Sequence, residues 1–83
     1  MIINKLGLHA RAAARLVGTA NRFRADIRIE RGDQAVNAKS IMGIMMLAAS
    51  QGTEIDVSAD GDDAEAAIIA ISELIGDRFG EDE

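Results

Sequence analysis

Apolar residues recur at three- and four-residue intervals after position 9. Ala13, Leu16, Val17, Ala20 and Phe23 fall on one face, which predicts an amphipathic helix over 10–23. Arg11, Arg15 and Arg22 share another face and form a basic stripe. The period then drops to two. Asp26-Ile27-Arg28-Ile29-Glu30 alternates polar and apolar, the pattern of a strand with one wet face. Arg31-Gly32-Asp33 supplies a turn and 34–38 a weaker strand, so 26–38 reads as a hairpin. Ser40 opens a short helix to about Ser50, with Gly52 as its stop. A second alternator, 53–59, places Ile55 and Val57 on one side. Asp60-Gly61 turns the chain, and Asp62 with Glu65 three residues on reads as a capping box for a last helix. Ala64, Ala67, Ile68, Ile71, Leu74 and Ile75 give that helix a wide apolar stripe. With a short strand at 1–4, the order is strand, helix, strand, strand, helix, strand, helix. Half-polar strands and one-sided helices assemble most simply as an α+β open-faced sandwich, a sheet covered by helices on one face.

Composition narrows the classes. Eighty-three residues make one domain, 1–83, with just enough chain to bury a core. Cysteine is absent and histidine occurs once, so neither disulfides nor a structural zinc site is expected. The apolar run from Ile41 to Ala49 is too short to span a bilayer, and the first residues do not read as a signal peptide. A soluble, cytoplasmic protein without membrane insertion is expected. The net charge of −5 argues against nucleic acid. Its distribution says more: residues 1–40 carry a balance of +5, residues 41–83 a balance of −10. That polarity suits a negative ligand or partner meeting the N-terminal half, or else describes ordinary solvated faces.

The candidate chemistry lies in Gly7-Leu8-His9-Ala10-Arg11. His9 precedes a helix whose first-turn N–H groups lack intrahelical partners and therefore attract anions. Arg11 adds a planar donor fork matched to phosphate, although a cation there opposes the helix dipole by about 0.3–1 kcal/mol. An imidazole nitrogen so placed could accept a phosphoryl group and hold it among donors. Gly7 permits the turn that exposes the ring. A histidine beside a helix start also serves elsewhere as a capping or surface residue, and that reading stays open on these residues alone. The second helix is apolar on two sides, with Ile44, Leu47, Ala48 and Gln51 on one, and Ile41, Met42, Met45 and Ala49 on the other. A small domain cannot bury a helix all round, which points to an exposed, adaptable docking patch. Ser40 reads as an N-cap, and phosphate there would also sit at a site favoured by the dipole. Met46 and the acidic 81–83 tail carry no assigned role.

Asn4-Lys5-Leu6-Gly7-Leu8-His9-Ala10-Arg11 resembles the active-site signature of the HPr family of histidine phosphocarriers, and Lys39-Ser40-Ile41-Met42-Gly43-Ile44-Met45 resembles its serine-site segment. The Ala12-Ala13-Ala14 run, in place of the proline common after the arginine, resembles proteobacterial members, including the nitrogen-related NPr branch. The resemblance implies a four-stranded antiparallel sheet with three helices on one face. It implies a monomeric component of the phosphoenolpyruvate-dependent phosphotransferase system, not a free-standing enzyme, that needs no cofactor or metal. His9 would take a phosphoryl group, on Nδ1 in the family, from Enzyme I and pass it to an Enzyme IIA component for sugar uptake or nitrogen-related regulation. Arg11 would stabilise the phosphate. Ser40 would be the site of an HPr kinase/phosphorylase. Arg15, Ile41, Met42 and Met45 would meet partners beside His9.

Two other readings stand beside this one. An acyl-carrier-type protein is also small and acidic with a modifiable serine, but it is all-helical, and Lys39 stands where such proteins usually have an acid. A regulatory interaction domain of HPr fold would have no need to keep both His9 and Arg11.

Overall fold

The computed structural model describes residues 1–47 and 49–81. Its elements are α1 (Ala10–Ala20), β1 (Asp26–Arg31), β2 (Gln34–Asn37), α2 (Ile41–Met46), β3 (Asp56–Asp60) and α3 (Ala64–Gly76). A 3-10 turn, Arg78–Gly80, follows α3. The sheet has the order β2-β1-β3, with both pairings antiparallel.

The alternation of β1 is realised directly. Ile27 and Ile29 are buried, while Asp26 and Arg28 are exposed on the other face. Ile29 stands between Val36 of β2 and Val57 of β3, and Ile27 is paired with Ala59, so cross-strand neighbours on one face build the sheet side of the core. Gly32, at φ +57, makes the tight connection between β1 and β2 that a residue with a Cβ adopts less readily. The helices cover the apolar face: α3 packs on β1 and β3, α2 on β2, and α1 against both α2 and α3. Leu16, Ile44, Leu47 and Ile71 fill the space between the layers. No helix among the described residues is long and apolar enough to cross a membrane.

The expected four-stranded sheet is a three-stranded one among the described residues. The segment 1–4 lies against the loop before β3 without forming a strand. Ile2 is fully buried and donates its N–H to the Thr53 carbonyl at 3.0 Å, and its carbonyl accepts from Gly52 N–H at 2.8 Å. These are bonds to the loop and not to β3, and by Asn4 the chain has entered a turn closed by Gly7 N–H to the Asn4 carbonyl.

Element ends also differ from expectation. The first helix stops at Ala20, because Arg22 and Phe23 donate to carbonyls only three residues back and wind the chain out of the α-helix. Arg22 therefore lies beyond the helix and stacks over the Phe23 ring at 5.8 Å. The second helix ends at Met46, where Leu47 N–H bonds the Ile44 carbonyl, well before Ser50 and Gly52. Ala48, expected on its inner side, lies outside the described residues. The third helix is preceded by Asp63, not Asp62, and no side chain caps it. The Asp63 carboxylate instead accepts the N–H groups of Arg24 and Ala25, both at 2.8 Å, and so ties the start of α3 to the approach of β1. Those two donors hold its carboxyl below the ordinary aspartate value, with the Arg24 N–H foremost and Lys39 adding attraction.

Candidate functional site

Gly7 shapes the approach to the site. It adopts φ +66, and a Cβ there would come within 2.5 Å of the Ala49 carbonyl oxygen and 2.7 Å of the Ser50 Cα. Only glycine lets the chain pass so close and turn at once. Leu8 N–H then donates to the Ala49 carbonyl at 2.8 Å, which fastens the loop to the segment after α2. The next residue, His9, is the N-cap of α1 with extended backbone, and its carbonyl accepts from Ala13 N–H at 2.8 Å.

His9 does not cap its helix with its side chain. No acidic residue stands in the first turn, and exposed Arg11 does. The helix start thus presents amide dipoles and a guanidinium with no acidic residue in its own first turn. The ring of His9, about a quarter exposed, points its Nε2 to a carboxylate oxygen of Glu81. The other Glu81 oxygen accepts from Asn4 Nδ2 at 2.7 Å, and the same amide nitrogen donates to the Gly7 carbonyl at 2.8 Å. Asn4 is fully buried, with its Oδ1 unpartnered. Partial burial of Glu81 opposes ionisation, but the bonds from His9 and Asn4, with the charge of Arg11 nearby, outweigh it and hold the carboxyl below its ordinary value.

The tail reaches this place through Phe79, which is fully buried although the chain folds to φ +54 and +56 at Arg78 and Phe79. Such backbone costs of order 1–3 kcal/mol at each of the two residues, a cost that burying the phenylalanine ring, worth about 1.5–3 kcal/mol, offsets only in part. The guanidinium of Arg15 donates to the Phe79 carbonyl and pins the turn to α1. Sequence reading missed both Phe79 and Glu81. Glu81 stands 72 positions from His9, and no local pattern links them.

The other expected site residues lie around α2. Ser40 is its N-cap, and its hydroxyl accepts the Gly43 N–H at 3.1 Å. Ile44 and Leu47 are buried, whereas Ile41, Met42 and Met45 are exposed, Met42 by 68% and the unassigned Met46 by 72%. Ala49, expected on the open side, is buried instead, because the chain has left the helix and packs beneath Gly7 and Leu8. The expected basic stripe is divided. Arg11 is exposed, Arg15 serves the tail, and Arg22 sits past the helix end. Arg31 and Lys39 likewise donate to backbone carbonyls, of Leu47 and Phe23, so part of the basic half works inside the fold. Among the described residues no cluster of His, Cys, Asp or Glu could hold a metal ion.

Comparison with known proteins agrees with this arrangement. The family model described as the PTS HPr component phosphorylation site matches residues 1–77. The chain is 54% identical to phosphocarrier protein HPr of Xylella fastidiosa over 99% of its own length and 92% of that protein's. It is 50% identical to phosphocarrier protein HPr of Neisseria meningitidis over the same shares. The crystal structure of HPr-C-His from Thermoanaerobacter tengcongensis superimposes with a TM-score of 0.95 at 54% identity, covering 99% of this chain and 92% of that one. The family model and these full-length relatives define a phosphocarrier of the phosphotransferase system. The chain belongs to the HPr family.

Proposed function

We propose that His9 is the residue on which this phosphocarrier takes and releases its phosphoryl group. The observation that carries the reading is the uncapped start of α1, with the imidazole at the N-cap and Arg11 in the first turn. A phosphoryl group on His9 would find the backbone N–H dipoles of the helix start, with the Arg11 guanidinium in the same first turn, where charge develops in transfer. Arg11 then neutralises the group and orients it. Enzyme I supplies the group, and an Enzyme IIA component in the cytoplasm receives it. Those partners meet Ile41, Met42 and Met45 of α2, apolar and exposed beside the loop that Ala49 fastens. Arg15 is a secondary member of that surface, since its guanidinium already holds the Phe79 carbonyl. Phosphate on Ser40, added by an HPr kinase/phosphorylase, would place negative charge at the edge of the same surface.

The test is incubation with Enzyme I and phosphoenolpyruvate, followed by intact mass and by addition of an Enzyme IIA. One acid-labile phosphoryl group per chain, lost again to the Enzyme IIA, is expected. A chain that stays unlabelled, or whose label is stable to acid, contradicts the reading.

A further inference from the structure

Methionine is unevenly placed in this chain. Three of its four methionines, Met42, Met45 and Met46, stand on α2, and the fourth is Met1. Spacings of three and four residues bring the three together on one side of the helix. There Met42, Met45 and Met46 are 68%, 44% and 72% exposed. None of the four is among the buried residues of the core, and Ile44 and Leu47 hold α2 to the fold instead. Cysteine is absent, so thioethers are the only sulfur the chain offers an oxidant. We propose that Met42, Met45 and Met46 form a site of reversible oxidation by peroxides, at which sulfoxide formation weakens docking of Enzyme I and leaves fold and His9 chemistry intact. This rests on the reading of that face as the docking surface.

The step balances with hydrogen peroxide alone. A lone pair of the thioether sulfur attacks one peroxide oxygen, the S–O bond forms and the O–O bond breaks. The other oxygen takes up the proton of the first and leaves as water. Sulfur is oxidised and the peroxide reduced. A methionine sulfoxide reductase reverses the change: a pair of thiols joins as a disulfide, and the sulfoxide oxygen departs as water. Oxidation turns a flexible apolar side chain into a polar one. In a core that change would loosen the fold, whereas on this face it meets only water until a partner arrives. Docking then buries a sulfoxide against apolar groups that offer it no donor, which is costly. Met46, which sequence reading left without a role, is the most exposed of the three and stands next to Met45.

The test treats the protein with hydrogen peroxide and maps the added oxygen by peptide mass. Treated and untreated chains are then compared in thermal melting and in steady-state phosphorylation by Enzyme I, before and after a methionine sulfoxide reductase. Oxygen should appear on Met42 and Met46 first. KM should rise about tenfold or more, the scale of burying an unpaired polar group. kcat and melting temperature should hold, and the reductase should restore KM. The triple variant Met42→Leu, Met45→Leu, Met46→Leu, compared with itself before and after peroxide, should show no rise, although its Met1 still oxidises. An oxidised wild type with unchanged KM overturns the proposal. So does a rise that the reductase fails to reverse, or one that the triple variant shares. Ile41→Asp tells which part has failed. If it raises KM while the sulfoxides do not, the docking surface stands and the oxidation switch alone falls. If neither raises KM, the docking reading falls as well.

Discussion

Two helix starts in this molecule solve the same problem in opposite ways. At α2 the Ser40 hydroxyl accepts the Gly43 N–H, and the helix closes its own end. At α1 the N-cap side chain leaves the amides alone and turns to Glu81, far along the chain. A local cap stabilises its helix by satisfying a donor. An open start forgoes that stability and keeps its donors for something that arrives later. The start of α3 shows a third arrangement, in which Asp63 spends its carboxylate on the Arg24 and Ala25 amides. Ser40 and Asp63 serve stability, whereas the open start at His9 is the one we propose for chemistry.

The contrast predicts crossed phenotypes. Arg11→Ala should slow phosphoryl transfer most, by about 10–1000-fold, because one charged donor is lost where charge develops. Its stability should change by less than about 0.5 kcal/mol, since Arg11 is exposed and opposes the dipole. Stopped transfer measurements beside denaturant titration check both halves. A large stability loss there would make α1 as self-sufficient as α2 and erase the distinction.

Gly7→Ala comes next. Strain at φ +66 alone should cost about 1–3 kcal/mol, and the approach to the Ala49 carbonyl leaves no room for the methyl group. Melting should fall together with transfer rate, because the His9 loop and its fastening are one unit. An unchanged melting temperature would show that the loop relaxes freely.

Ser40→Ala should do the reverse of Arg11→Ala, losing roughly 0.5–2 kcal/mol of capping while Enzyme I affinity stays nearly intact. Ser40→Asp keeps a capping oxygen and gains a favourable dipole interaction, so its melting should hold or rise, while affinity for Enzyme I falls roughly tenfold or more through charge placed beside the apolar surface. Tight binding by Ser40→Asp would remove α2 from the docking surface.

The smallest effect concerns acid. The folded Asp63 carboxyl titrates below its ordinary value of 3.8, so its contribution to stability is complete above that value and is lost as pH falls through the folded one. Glu81 behaves in the same sense below its ordinary 4.5. Asp63→Asn should therefore flatten the decline in melting temperature on acidification below about pH 4, where an aspartate begins to titrate. A decline as steep as wild type's would mean that Asp63 contributes nothing to it.

Much of the scaffold was legible because it is written in short periods. The alternation of 26–30 gave β1, Gly32 its turn, and Ser40 its helix start. His9 and Arg11 stood out from local chemistry before a helix. What could not be read were choices made by distant contacts. Asp62 matched a capping pattern, but Asp63 became the N-cap and its carboxylate was claimed by amides of Arg24 and Ala25. Segment 1–4 looked like a strand, yet Ile2 is satisfied by the loop at Gly52 and Thr53. The acidic tail looked featureless, because the use of Glu81 depends on burying Phe79 in a conformation that no periodicity announces.

The most direct test of the account is where the phosphoryl group goes. Wild type and His9→Ala are incubated with Enzyme I and phosphoenolpyruvate and weighed intact, before and after mild acid. Wild type should gain one acid-labile phosphoryl group and His9→Ala none, since the chain holds no other imidazole. Undiminished labelling of a folded His9→Ala chain would contradict the assignment of the open helix start as the phosphocarrier site.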